Sequence, residues 1–155
     1  QVCLRRIIEE HATLFGTDTS VKLRTDFPEE GGGVFVNADP GMLRQALTNV
    51  IQNASESLIE NGKADAEIVL GLHCSDAEAR IIVSDNGPGF PAGDISRFLE
   101  PYMTTRLKGT GLGLAIVQKI MIDHGGNIHL GSSVAGGAEI SLVLPLGEHK
   151  QESDA

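Results

Sequence analysis

The chain has 155 residues and carries 12 lysines and arginines against 21 aspartates and glutamates, which gives a formal net charge of -9. This length is typical of one domain, and the excess negative charge would repel a phosphate backbone, so we expect no nucleic-acid partner. The two cysteines, Cys3 and Cys74, are too few for a disulfide framework and are expected to be free thiols in a reducing cytoplasm.

The first part of the chain predicts two helices and two short strands. Apolar residues recur at helical spacing over residues 2–15, until a glycine ends the pattern. Alternation predicts strands at residues 21–27 and 34–36, joined by a glycine-rich loop. Asp39 is a helix N-cap residue followed by proline, and it begins a long amphipathic helix that ends near residues 61–62.

The middle of the chain predicts a strand pair and then a long irregular segment. Residues 67–72 and 79–83 alternate as strands do and flank a polar turn. Regular periodicity is absent from residues 85–110, apart from one short helix expected near residues 95–99. Loops of this length inside a compact domain are usually functional or disordered.

The last part of the chain predicts a third helix and two closing strands. Residues 112–121 have helical periodicity and are followed by a glycine pair that ends the helix. Residues 127–130 and 138–144 have the pattern of strands. The polar residues 148–155 are expected to form a disordered tail, so that the domain itself spans residues 1–147.

Two asparagines on the predicted second helix are candidates for metal binding. Asn49 and Asn53 are four residues apart, so their amides project from the same side of the helix. Asparagine is a poor residue for a helix interior. A carboxamide oxygen at this place suits a hard cation such as Mg²⁺, while an exposed polar stripe is the alternative explanation.

An acidic residue followed by glycines ends the predicted strand pair. Residues 85–90 have the sequence Asp-Asn-Gly-Pro-Gly-Phe, which places one carboxylate at a strand end and two glycines where backbone can approach a ligand closely. Asp85 could accept a hydrogen bond from an exocyclic amine such as that of adenine. A simple Asn-Gly and Pro-Gly turn is the alternative.

A glycine-rich segment begins the third helix. Residues 108–114 have the sequence Lys-Gly-Thr-Gly-Leu-Gly-Leu, so backbone amides are open, the helix N-terminus favours phosphate and Lys108 adds positive charge. The segment does not match a dinucleotide-binding motif, which would need glycine at the position of Leu114 and an apolar strand directly before the motif. It does not match a Walker loop either, because the sequence Gly-Lys-Ser/Thr is absent from it. A purely structural glycine turn stays open as the alternative.

In this order, the motifs resemble those of the histidine kinase ATPase family, which has the Bergerat-type nucleotide-binding fold. Residues 47–54 resemble its N box, 85–89 its first glycine box, 99–106 its lid with the F box, 109–113 its second glycine box and 136–145 its closing strand. The sequences of residues 100–106 and 108–117 are most similar to those of nitrogen-regulation sensor kinases of the NtrY-like kind.

The resemblance implies a two-layer α/β sandwich, with one mixed sheet of about five strands packed on three helices and a mobile lid over ATP and Mg²⁺. Asn53 would coordinate the metal, and Asn49 would assist at the phosphates. Asp85 would bind the adenine amine, supported by Ser141 through water. The expected catalytic residues are Asn49, Asn53, Arg106 and Lys108. The other expected nucleotide contacts are Gly87, Gly89, Tyr102, Gly109, Thr110, Gly111, Leu112 and Gly113, of which Thr110 would lie on the lid with Arg106 and Lys108.

Position 49 bears on the reaction that the resemblance implies. In hydrolytic relatives such as gyrase, and in anti-sigma serine kinases, a glutamate base is expected four residues before the metal-binding asparagine. Asn49 stands at that position and cannot accept a proton, which favours phosphoryl transfer to an imidazole over activation of water. A nucleotide-responsive binding module without kinase activity and an anti-sigma-type serine kinase are the alternatives.

The expected function is therefore that of a sensor histidine kinase catalytic domain, which donates the γ-phosphoryl of ATP to a histidine on a separate dimerisation domain and so acts on a response regulator. No His-Glu-x-x-Asn-Pro-like acceptor sequence is present, and His11 is expected to be an ordinary surface histidine. The chain starts at Gln1 and its apolar runs are too short to span a bilayer. We expect a soluble, monomeric, cytoplasmic part of a longer, homodimeric inner-membrane kinase.

Overall fold

The computed structural model describes residues 1–17, 20–27, 34–90, 97, 99–100 and 113–146. In chain order the elements are β1 (Val2–Cys3), α1 (Leu4–Phe15), β2 (Lys22–Asp26), β3 (Phe35–Val36), α2 (Pro40–Glu60), β4 (Glu67–Cys74), β5 (Glu78–Asp85), α3 (Gly113–Asp123), β6 (Asn127–Ser132) and β7 (Ala138–Pro145). Most of the short helix predicted near residues 95–99 lies outside the described residues, as do residues 101–106 of the lid with its F box, residues 109–112 of the second glycine box, and the domain boundary and tail at 147–155.

Five strands form one mixed sheet in the order β2-β4-β5-β7-β6. Strand β2 pairs with β4 in parallel, and the other neighbouring strands pair antiparallel. Side chains alternate between two faces: in β5, Ile81 and Val83 are buried while Arg80 and Ile82 are only partly buried. We call the face with the buried residues, which packs on the helices, the inner face and the opposite one the outer face. The predicted α/β sandwich with a five-stranded mixed sheet is confirmed.

A second, two-stranded sheet lies beside the start of α1. Val2 pairs with Val36 and Cys3 with Phe35, in antiparallel register, and the amide of Leu4 donates to the carbonyl of Val34 at 2.9 Å. The sequence predicted helix from residue 2 onward, and this was wrong for the first two residues. The backbone groups there have partners in β3, which a first helical turn would not have supplied.

Helix α2 begins and ends where local signals predicted. The Asp39 carboxylate accepts a hydrogen bond from the amide of Met42 at 3.1 Å, and Pro40 is the first helical residue. The amide of Asp39 also donates to Nε2 of His124 at 3.0 Å, directly after the end of α3. Because α2 and α3 also pack side by side, the two helices run antiparallel.

His11 is buried, with 4% of its surface exposed, so the expectation of a surface histidine was wrong. Its Nδ1 lies 2.8 Å from the carbonyl oxygen of Ile7, and its Nε2 lies 3.0 Å from Oγ1 of Thr48 on α2. The ring can be buried between α1 and α2 because both nitrogens have hydrogen-bonding partners.

One hydrophobic core joins the helix layer to the sheet. Its fully buried side chains come from all three helices and from β4 to β7. On α2, for example, Leu47, Val50 and Ile51 have essentially no exposed surface. This core fixes the end of β5 relative to α2, which positions the candidate site.

Candidate functional site

Asp85 ends β5 on the inner face of the sheet, and only 8% of its surface is exposed. One carboxylate oxygen, Oδ1, accepts hydrogen bonds from the amides of Gly87 at 2.9 Å and Ala138 at 3.1 Å. The part of the chain that the structure describes offers no hydrogen bond to Oδ2. That oxygen is therefore the one that can accept a hydrogen bond from a ligand.

The surroundings of Asp85 change its acidity. Burial raises the pKa of the Asp85 carboxyl above its ordinary value, and the hydrogen bonds from the amides of Gly87 and Ala138 partly oppose that rise. The two amides favour the ionised form, which is the form able to accept from a ligand amine through Oδ2. A buried acceptor of this kind is a candidate for specific ligand recognition.

The glycines after Asp85 allow close packing. A Cβ on Gly87 would lie 3.0 Å from Cδ2 of Leu58 on α2, and a Cβ on Gly89 would lie 3.1 Å from the carbonyl oxygen of Gly136. Gly89 also has φ of +77°, which favours glycine. Among the described residues, these glycines lie close to α2 and to the turn between β6 and β7, and the close approach of their backbone to a ligand stays a prediction.

The side chain of Asn86 has a structural role that the sequence did not reveal. Its Oδ1 accepts from the amide of Glu67 at 2.9 Å, and its Nδ2 donates to the carbonyl of Asp65 at 2.6 Å. The side chain thereby joins the end of β5 to the start of β4. Its role is to hold the strand ends together.

Gly137 and Ala138 were not among the predicted site residues, yet both contact Asp85. The amide of Ala138 donates to the carboxylate, and a Cβ on Gly137 would collide with both the carbonyl and the carboxylate of Asp85. The glycine pair at 136–137 predicts a turn. Nothing local indicates that one of these glycines lies against a residue fifty positions earlier.

Asn49 and Asn53 are each partly buried on α2. Thr48 faces α1, where it contacts His11, and with 3.6 residues per turn Asn49 and Asn53 lie on the flank away from α1. This burial is greater than a freely exposed polar stripe would have. Both residues lie beside the buried positions of α2, and the use of their amides by a ligand stays a prediction.

The N-terminus of α3 lies near the same part of α2. The end of α3 is held at Asp39 through His124, and its 11 residues run back along α2 for about 16 Å. That distance reaches roughly the level of Val50, so α3 begins at about the same height along α2 as Asn49 and Asn53. Among the described residues, no atom lies within 4 Å of a Cβ built on Gly113, the first residue of α3.

Seven predicted site residues lie outside the described part of the chain: Tyr102, Arg106, Lys108, Gly109, Thr110, Gly111 and Leu112. The structure brings Gly87 and Gly89 to Asp85 at the end of β5, and it places Asn49 and Asn53 on α2.

Ser141 does not lie beside Asp85, contrary to expectation. It pairs with Ile82 on β5 and with His129 on β6, and these residues belong to the outer face of the sheet. Its neighbours Ile140 and Leu142 are buried on the inner face, where Asp85 lies. The alternation of Ile140, Ser141 and Leu142 was the signal in the sequence that places Ser141 on the opposite face from Asp85.

Comparison with known proteins assigns the family. Residues 38–148 match the model of the family described as "Histidine kinase-, DNA gyrase B-, and HSP90-like ATPase". The chain belongs to this ATPase family. The match covers α2, β4, β5, α3, β6 and β7, and the resemblance inferred from the motifs is confirmed.

Named relatives of this ATPase domain are sensor histidine kinases. The chain is 34% identical over 148 residues to the histidine-protein kinase AtoS of Escherichia coli, covering 94% of this chain and 24% of AtoS. It is 44% identical over 110 residues to the nitrogen regulation protein NtrY of Azorhizobium caulinodans, covering 68% of this chain and 14% of NtrY. The chain thus spans a quarter or less of these relatives, and the NtrY-like kinases are one of several similar groups.

A solved structure supports the same assignment of the ATPase fold. The nucleotide-free catalytic domain of the histidine kinase ThkA superposes with a TM-score of 0.79 at 28% identity, covering 94% of this chain and 93% of that domain.

Among the described residues of the present ATPase domain, no helix is both long and apolar enough to cross a membrane.

Proposed function

We propose that this chain binds ATP with Mg²⁺ and donates the γ-phosphoryl group to a histidine on a separate phosphoacceptor domain. The observation that carries the proposal is the Asp85 carboxylate, whose Oδ1 is held by two backbone amides while Oδ2 has no partner among the described residues. Membership of the ATPase family and the histidine kinase names of the relatives support it.

Asp85 would recognise the adenine base. Its ionised Oδ2 can accept a hydrogen bond from the exocyclic amine of adenine, whereas guanine presents a carbonyl oxygen at the equivalent ring position. The contact is selective, because a ligand that covers Oδ2 without donating to it removes the acceptor from water and leaves it unsatisfied. The close packing of Gly87 on Leu58 fixes the backbone on one side of this acceptor.

The phosphates would lie between α2 and the N-terminus of α3. Asn53 would offer its carboxamide oxygen to Mg²⁺, with Asn49 beside it, and the amides from Gly109 to Gly113 would face the phosphate chain. Within the described ranges no group of three or more His, Cys, Asp or Glu side chains could hold a metal by itself. This donor set fits a cation that arrives with the nucleotide and keeps phosphate and water ligands.

The chemistry would depend on positioning and charge neutralisation. Asn53 would hold Mg²⁺ beside the phosphates, and the ion would supply positive charge that offsets the charge developing on transfer. Arg106, Lys108 and Thr110 would act at the β- and γ-phosphates, and Tyr102 would contribute to the nucleotide pocket. Asn49 supplies no general base, so water is not activated and the chain alone should turn over ATP slowly.

We infer that the whole protein is a two-component sensor kinase. The acceptor histidine would lie on a dimerisation domain, from which the phosphoryl group would pass to a response regulator. The present chain would be monomeric and cytoplasmic, and the whole protein a homodimer at the inner membrane. Domain limits of 1–147, with a polar tail at 148–155, belong to the same proposal.

Calorimetric titration with a non-hydrolysable ATP analogue tests the nucleotide site. We expect wild type to bind, and Asp85→Asn and Asn53→Ala to weaken binding at least about tenfold each, as expected when a hydrogen bond or ligand to a charged group is lost. In excess chelator, wild type and Asn53→Ala should bind with the same affinity, because the asparagine acts through the metal. Asp76→Asn, in the exposed turn between β4 and β5, is the control for loss of one charge.

Addition of a phosphoacceptor domain from a related kinase tests the transfer step. Labelled γ-phosphate should appear on that domain, and not when Asn53→Ala replaces wild type. Binding without any transfer would instead support the nucleotide-responsive module, and failure of wild type to bind at millimolar analogue would contradict the proposed function itself.

A further inference from the structure

The turn between β6 and β7 contacts Asp85 at the edge where β7 pairs with β5. The hydroxyl of Ser133 donates to the main-chain carbonyl oxygen of Asp85 at 2.8 Å and accepts from the amide of Gly137 at 2.9 Å. A serine hydroxyl has one proton to donate and lone pairs to accept with. Ser133 therefore ties the turn to the end of β5 with its single side chain.

The turn itself is closed by backbone hydrogen bonds. The amide of Ser133 donates to the carbonyl of Gly137 at 2.7 Å, and the amide of Gly136 donates to the carbonyl of Ser133 at 3.0 Å. Gly136 has φ of +89°, a conformation that favours glycine. The turn is thus well defined before it meets Asp85.

The residues that follow the turn connect it to the carboxylate of Asp85. Gly137 lies so close to Asp85 that a Cβ would collide with it, and the next amide, of Ala138, donates to Oδ1 of Asp85. Ser133 holds the amide of Gly137 and the carbonyl of Asp85 together. The hydrogen bond from Ala138 to Oδ1 depends on that spacing.

We propose that Ser133 is a positioning residue for Asp85, which makes the turn between β6 and β7 a determinant of adenine selectivity. By keeping Oδ1 on the amide of Ala138, Ser133 keeps Oδ2 directed at the base. Without the hydroxyl, the carboxylate gains freedom to rotate and its bond to the exocyclic amine weakens. This inference rests on the proposed nucleotide site and adds a residue that does not touch the ligand.

The test compares two nucleotides that differ only in the amine. The affinities of a non-hydrolysable ATP analogue and of the same analogue of purine riboside triphosphate, which lacks the exocyclic amine, are measured by calorimetry for wild type and Ser133→Ala. We expect Ser133→Ala to weaken the ATP analogue about three- to tenfold, the effect of one ordinary hydrogen bond, and to leave purine riboside triphosphate unchanged. The discrimination between the two nucleotides should fall by the same factor.

Two further comparisons separate positioning from general support of the fold. Ser132→Ala, at the neighbouring exposed serine on β6, should behave as wild type. Ser133→Thr keeps the hydroxyl and should discriminate between the two nucleotides as wild type does. Valine has the shape of threonine without the hydroxyl, so Ser133→Val should match Ser133→Ala. Thermal unfolding of each variant is followed in parallel.

Several results would overturn the inference. Equal weakening of both nucleotides by Ser133→Ala, or no change in discrimination, would show that Ser133 does not act through the amine contact. Loss of folding in both hydroxyl-free variants would make Ser133 a residue of the fold only. If wild type does not bind the ATP analogue, or does not discriminate between the two nucleotides, then the proposed function fails first.

Discussion

At the scale of single residues, Asp85 combines burial with a partly satisfied carboxylate. Two amides hold Oδ1, while burial raises the pKa of the group. The folded protein therefore binds a proton at Asp85 more tightly than the unfolded chain does. Ionised Asp85 reduces stability at neutral pH, and this cost disappears as the pH falls from the raised pKa towards the ordinary value.

This linkage predicts how Asp85→Asn changes stability with pH. Asparagine keeps an oxygen for the two amides and removes the buried charge, so we expect the variant to be at least as stable as wild type at about pH 7. Its advantage in the free energy of unfolding should shrink as the pH is lowered towards about 4. Chemical denaturation at a series of pH values measures the difference.

Asp76→Asn is again the matched control for that series, since it removes one negative charge from an exposed turn. A stability difference between wild type and Asp85→Asn that is the same at every pH would contradict the linkage. The result bears on the site as well, because only the ionised carboxylate has Oδ2 free of a proton.

At the scale of elements, helix α2 carries both asparagines and is defined by local signals. Asp39 caps its first turn through the amide of Met42, and Pro40 follows with a backbone angle suited to a helix start. These interactions involve residues only three positions apart, so the sequence alone predicted the start of α2. The pairing of β1 with β3, by contrast, joins residues more than thirty positions apart.

Removing the cap should weaken the start of α2. Asp39→Ala is expected to lower the free energy of unfolding by about 1 kcal/mol, whereas Asp39→Asn, another good N-cap residue, should change it by only a few tenths. The hydrogen bond from the Asp39 amide to His124 involves the main chain and is present in both variants. Equal destabilisation by the two substitutions, measured by urea denaturation, would show that charge rather than capping is what matters.

At the scale of the whole molecule, one core holds the sheet, the helices and the site in a single unit. Leu142 lies in β7, between β5 and β6, and has no exposed surface. Leu14, on α1, is 65% exposed. Because the same core positions Asp85 relative to α2, damage to it should affect the entire domain.

Substitution of these two leucines tests the extent of the core. We expect Leu142→Ala to lower the free energy of unfolding by about 2–5 kcal/mol, and Leu14→Ala to stay within about 0.5 kcal/mol of wild type. Far-ultraviolet circular dichroism and the chemical shifts of the Asp85 region should report the same midpoint in Leu142→Ala. Two different midpoints would mean that the end of β5 at Asp85 unfolds independently of the core.

The sequence by itself determined the features that depend on neighbouring residues: the three helices, the strands with their alternation, and the identity of Asp85, Asn49 and Asn53 as candidates. Such features follow from spacing, caps and turns, whose interactions span a few positions. Only the tertiary structure decided which partners surround those candidates. Ser133, Gly137 and Ala138 reach Asp85 because β7 pairs with β5, and His11 is buried because α1 packs on α2. Contacts of this kind depend on how the strands and helices assemble, which no local pattern in the sequence encodes.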